Sequence, residues 1–142
     1  MKALLALFAL AQLVLGALLW LAPGFFFDEI GPYGVRNDHY MVDLATWYLA
    51  LGAAALVAVR RASWRVPVLA LAFAQYALHS VNHLIDIDHA HPKWLGPANF
   101  VSLVLTTVLL AWMLRANRSA RRRTGRRPRR RTPVPRRSPP PA

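Results

Sequence analysis

The sequence predicts an all-α fold: a polytopic membrane four-helix bundle with a disordered Arg/Pro-rich C-terminal tail. Three observations carry that prediction. Four apolar runs are each long enough to cross a bilayer. Turn formers or arginines separate the runs. The charges are sorted by place, because only six basic residues precede Arg115, against all six acids, and twelve arginines lie between Arg115 and Arg137. The formal net charge of +12 therefore belongs to the tail, although 56% of all residues are hydrophobic.

The first span is placed at about residues 3–22, where Gln12 is the only polar side chain. A cleaved signal peptide is the competing reading, with Lys2 as its positive end, but the run is longer than usual and no small-x-small site follows. Pro23 and Gly24 stop this helix. The segment from Phe25 to Tyr40 mixes phenylalanines with acids and suits the membrane interface, and Gly31, Pro32 and Gly34 favour turns over a regular element.

The second span, about residues 41–59, closes on Arg60 and Arg61. After a short basic link, Pro67 fits the first turn of the third span, about residues 66–87. The wet loop from Asp88 to Pro97 leads to the fourth span, about residues 98–114, short enough to require snorkelling flanks. Residues 1–115 thus form the membrane domain and residues 116–142 the tail.

Orientation follows from the basic residues. Lys2, the Arg60–Arg65 link and the tail share one side, and cytoplasmic segments are those enriched in Lys and Arg. The expected location is the cell (plasma) membrane with both termini cytoplasmic, which puts every histidine and every acid toward the extracytoplasmic side. The tail buries almost nothing and cannot offset the entropy of ordering. Its arginines, Arg121, Arg122, Arg123, Arg126 and Arg127 among them, are expected either to contact anionic lipid or to serve only as a topology signal. The lack of interleaved aromatics or a folded reader argues against nucleic acid as a partner.

The absence of cysteine excludes disulfides, thiolate metal sites and thiol nucleophiles. Chemistry must come from His, Asp, Asn or hydroxyl groups, and those concentrate at one end of three spans. Residues three and four apart share a helix face. Gln75, His79, Asn82, His83 and Asp86 then form a polar stripe on the third span, matched by His39, Asp43, Thr46 and Trp47 on the second and Asn99, Ser102 and Thr106 on the fourth.

Ionisable groups within a membrane usually face a bundle interior or a wet cavity, so these faces are expected to meet. His79 and His83, at i and i+4, can reach one divalent metal ion, with Asp43, His39 or Asp86 as a further ligand. In the competing reading the same histidines hydrogen-bond across the bundle to Asp43, Asn82 or Asn99 and hold helices together. Haem ligation, a quinone pocket and proton handling complete the alternatives. His89 and His91 belong to the wet loop.

The segment from Pro32 to Gly52, PYGVRNDHYMVDLATWYLALG, resembles the first loop and second span of a family of uncharacterised four-helix integral membrane proteins of actinobacteria, broadly DoxX-like in layout. That family has Asn, His and Asp where Asn37, His39 and Asp43 stand, and a stretch like Tyr48 to Gly52 after them. Its third span carries two histidines four apart and a third three beyond, at the places of His79, His83 and Asp86. Asp86 departs from the pattern, as does Leu78, where proline often stands. The resemblance implies the architecture and a grouping of His39, Asp43, His79 and His83; it implies no reaction.

No complete catalytic constellation is present, so the leading expectation is a non-enzymatic protein whose polar cluster is structural or binds a small ligand. The partners expected for it are membrane lipids and a membrane protein or a second copy of itself. The alternative is a metal-dependent or redox-linked membrane enzyme using His79, His83 and Asp43. Transport ranks lower, because the spans show neither broken helices nor a repeat.

Overall fold

A computed structural model describes residues 1–125. Among them the chain is all-α, with five helices: α1 (Lys2–Leu21), α2 (Pro23–Glu29), α3 (Asp38–Arg60), α4 (Ala62–Ile85) and α5 (Leu95–Gly125). All but α2 are long and apolar enough to cross a membrane, which makes the chain a multi-pass membrane bundle.

The tightest pair is α1 with α3. Lipid tails are as apolar as leucine, so burial alone does not drive membrane helices together, and close approach over small residues does. Gly16 of α1 sits against Leu49 of α3, and Gly52 of α3 sits against Leu13 of α1. This reciprocal pairing sets an antiparallel register. The α4 and α5 helices form a second antiparallel pair, and α3 packing on α4 joins the two.

The bundle divides along its length. Toward the end that carries Arg60 and Arg61 the interior is apolar, with Leu5, Leu51, Leu69, Leu110 and Met113 buried together. Near the middle, Gln12 of α1 donates to the Tyr76 hydroxyl of α4 at 2.7 Å, and Tyr76 also takes Phe8 edge-on. Toward the other end the interior turns polar, and there the candidate site forms.

Several boundaries differ from those predicted. Pro23 opens a helix rather than only ending one, because its fixed φ and missing N–H suit the first helical position. Asn37 starts α3 three residues early by accepting from the Tyr40 amide at 3.3 Å. α4 begins at Ala62, which moves Pro67 into the second turn, where it deprives an earlier carbonyl of its helical donor. α4 also ends at Ile85, so Asp86 becomes its C-cap and is not part of the span.

The last helix runs past the expected end at Leu114 to Gly125. Residues 116–125 contain alanine and arginine, both strong helix formers, and no proline. The expected disorder therefore does not begin at residue 116; the remainder of the tail, with Arg126 and Arg127, lies outside the described residues.

Candidate functional site

At the polar end, α1, α3, α4 and α5 border a half-open cavity of about 260 Å³. Leu15, Leu44 and Leu103 supply much of its apolar wall, and Phe26 and Ile30 reach it from the segment around α2. Tyr33, Tyr48, His79, His83, Asn99 and Ser102 bring polar groups to the same space.

The roof is pinned at three points. Asn99 of α5 donates to the Ile30 carbonyl at 2.9 Å. Tyr33 makes an isolated antiparallel bridge with Ala90, joining the two loops of this end. Gly96 packs directly on the Ile87 carbonyl, leaving no room for a Cβ, which brings the start of α5 against the end of α4. Beside the roof, Arg36 forks onto Asp38 through Nε and Nη2, and that hydrogen bond raises the guanidinium pKa further.

The histidines stand one turn apart on α4. Their Nε2 atoms are 3.1 Å apart, and His83 Nδ1 lies 3.1 Å from the Tyr33 hydroxyl. Tyr33 meets the His83 ring edge-on at 4.9 Å and 83°. These contacts form a chain, Tyr33 to His83 to His79, with two consistent polarities. If Tyr33 donates to His83 Nδ1, then His83 Nε2–H donates to His79 and leaves His79 Nδ1–H as a donor. If every bond reverses, His79 Nδ1 becomes an acceptor.

Of the other residues singled out from the sequence, Asn99 and Ser102 reach the cavity and the rest go elsewhere. His39 and Asp43 pair with each other at 3.5 Å on an outer face of α3, with side chains 80% and 62% exposed. Neither lines the cavity, to which α3 contributes Leu44 and Tyr48. Asp86 lies 3.3 Å from His89 in the loop. Asn82 is exposed, Gln75 is half-buried outside the cavity lining, and Asn37 is the α3 cap. Thr46, Ser102 and Thr106 hydroxyls bond to their own helix carbonyls. Among the described residues, no three His, Asp or Glu side chains converge as a metal ligand set.

A rotation explains the redistribution. A helix advances about 100° per residue, and the buried side of α4 is marked by Ala72, Tyr76 and Ser80. His79 and His83 lie toward that side, whereas Gln75, Asn82 and Asp86 lie toward the opposite edge of the stripe. The stripe is real but off-centre. Sequence reasoning missed Tyr33, because tyrosine is as common in an interfacial belt as in a binding wall, and Tyr48, which sits inside an apolar run that marks no face as the binding one. It also missed Ser80, whose hydroxyl meets Thr107 of α5 at 3.3 Å.

Fold and site together define a multi-pass α-helical membrane protein with a polar-tipped cavity at one end of the bundle. No family model, curated protein or solved structure matches the chain.

Proposed function

We propose that this protein is a non-catalytic membrane binding protein that holds a small, mostly apolar molecule with one polar end in the cavity beside His79 and His83. The observation that carries this reading is the Tyr33–His83–His79 chain set into an otherwise largely apolar wall. Pockets for small molecules are mainly apolar with a few convergent polar groups that fix orientation. Because the chain can present His79 Nδ1 as donor or acceptor, it suits a carbonyl or a hydroxyl on the ligand. The distribution of arginines supports an orientation with both termini in the cytoplasm of the cell and the cavity near the extracytoplasmic face. Arg121, Arg122 and Arg123 would then follow the last span on the cytoplasmic side, where anionic lipid is their natural partner.

A divalent metal is the second reading, favoured by one distance. Two nitrogens bound to one tetrahedral zinc at about 2.0–2.1 Å lie roughly 3.3 Å apart, close to the 3.1 Å between the His79 and His83 Nε2 atoms. Tyr33 on His83 Nδ1 would orient that ligand from outside the coordination sphere. The remaining ligands would come from outside the chain.

One preparation tests both readings. The protein is purified in mild detergent beside a His79→Ala, His83→Ala variant, and each is assayed for metal content and for organic molecules released on denaturation. A stoichiometric organic compound present only in the unsubstituted protein supports ligand binding. Stoichiometric metal lost in the variant supports the second reading. If neither is found, and a panel of apolar carbonyl and hydroxyl compounds leaves the melting temperature unmoved, the binding role is refuted.

A further inference from the structure

At the opposite end of the bundle, the junction of α3 and α4 carries three arginines with two different fates: Arg60 ends α3, Arg61 links the helices and Arg65 lies in the first turn of α4. Arg65 is occupied: its Nε donates to the Ala58 carbonyl at 3.1 Å and its Nη2 to the Val59 carbonyl at 3.2 Å, closing the C-terminus of α3. Arg60 and Arg61 are exposed and, with Trp64, Leu56 and Val57, line a groove of about 440 Å³.

No carboxylate can neutralise them from within the bundle. All six acids of the sequence fall between Asp28 and Asp88, and Asp43, the nearest along α3, is seventeen residues from Arg60, about 25 Å of helix. Just below the charges, Leu56 and Val57 are exposed on the apolar length of α3, and Trp64 is 45% exposed beside them. Tryptophan favours the headgroup level of a bilayer.

We propose that this groove binds an anionic phospholipid of the adjacent leaflet, with its phosphate between Arg60 and Arg61, its glycerol region against Trp64 and one acyl chain along Leu56 and Val57. Guanidinium groups match phosphate oxygens in geometry as well as charge. Two uncompensated cations select a lipid of net negative charge, because the ammonium of a zwitterionic headgroup would be repelled. The apolar floor selects a lipid over free phosphate, which has no use for Leu56 and Val57.

The test is photo-crosslinking of the full chain in vesicles, using a diazirine-bearing phosphatidylglycerol or the matching phosphatidylcholine, with the labelled peptide mapped. The expected result is labelling at Leu56–Trp64 on the order of tenfold stronger with phosphatidylglycerol, given the attraction each near-surface arginine contributes. It should fall by a similar factor in Arg60→Gln, Arg61→Gln and survive in Arg60→Lys, Arg61→Lys. It should also survive Arg121→Gln, Arg122→Gln, Arg123→Gln, which separates the groove from the tail.

Equal labelling by the two lipids in the unsubstituted protein overturns the proposal, whether or not the glutamine variant folds. So does undiminished labelling in a folded glutamine variant. Loss of the label on adding millimolar inorganic phosphate at constant ionic strength would assign the site to free phosphate instead.

Discussion

The Nε2 atoms of His79 and His83 face each other at 3.1 Å across one turn of α4, so one ring donates and the other accepts. Tyr33 fixes the far side of His83, and the orientation of both rings therefore depends on a residue from a loop fifty positions away in the sequence.

Tyr33→Phe is expected to destabilise the protein by about 1 kcal/mol, the usual net worth of such a hydrogen bond. It should also release His83 to turn. Thermal unfolding in detergent reads the first effect and the imidazole NMR resonances of His79 and His83 the second. An unchanged melting temperature with unchanged resonances would remove Tyr33 from the chain.

His39→Ala and Asp43→Asn should each change stability by less than about 0.5 kcal/mol, as is usual for exposed positions, because both side chains lie on an outer face of α3. Ligand retention should not change. A loss of ligand or metal matching that of the His79, His83 double variant would instead place His39 and Asp43 in the site.

Gln12 gives an asymmetric expectation. It is buried, its amide nitrogen donates to Tyr76, and its Oε1 has no protein partner among the described residues. Tyr76→Phe orphans the nitrogen as well and should cost about 1–3 kcal/mol. Gln12→Leu leaves one group, the Tyr76 hydroxyl, without its partner where Tyr76→Phe leaves two, so it should cost less, and adding it to Tyr76→Phe should recover most of the loss. Denaturant titration in mixed micelles checks the order; a Gln12→Leu variant less stable than Tyr76→Phe would contradict it.

Gly52→Ala tests the α1–α3 seam. An added Cβ would lie 2.8 Å from Leu13 Cγ and 3.1 Å from the Leu13 backbone nitrogen, so the helices must separate. The expected cost is about 1–3 kcal/mol, typical of overpacking, with the same sign for Gly16→Ala at Leu49. Ala53→Gly on the exposed side of the same helix should cost no more than the helix propensity of about 1 kcal/mol. Equal effects at Gly52 and Ala53 would show that the seam is not tight.

The sequence determined by itself that the chain crosses a membrane four times and that its histidines and acids gather at one end. Those properties depend on local quantities: the length of an apolar run, the residues that interrupt it and the sign of the charges beside it. It also paired His79 with His83, because i and i+4 share a face in any helix.

Tertiary structure decided which way each face points. The stripe on α4 was legible, but only packing against α5 and α3 turned His79 and His83 inward and left Asn82 at the surface. The same packing gave Leu44 and Tyr48 to the cavity and sent His39 and Asp43 outward, since α3 commits its small-residue side to α1. Tyr33 and Ile30 reach the site from chain that reads as interfacial loop, held there by Asn99 and Ala90. Such contacts join residues far apart in sequence, and no local pattern encodes them. The physical reason is that a helix fixes the angles between its own side chains, whereas its rotation about its axis is set by what it packs against.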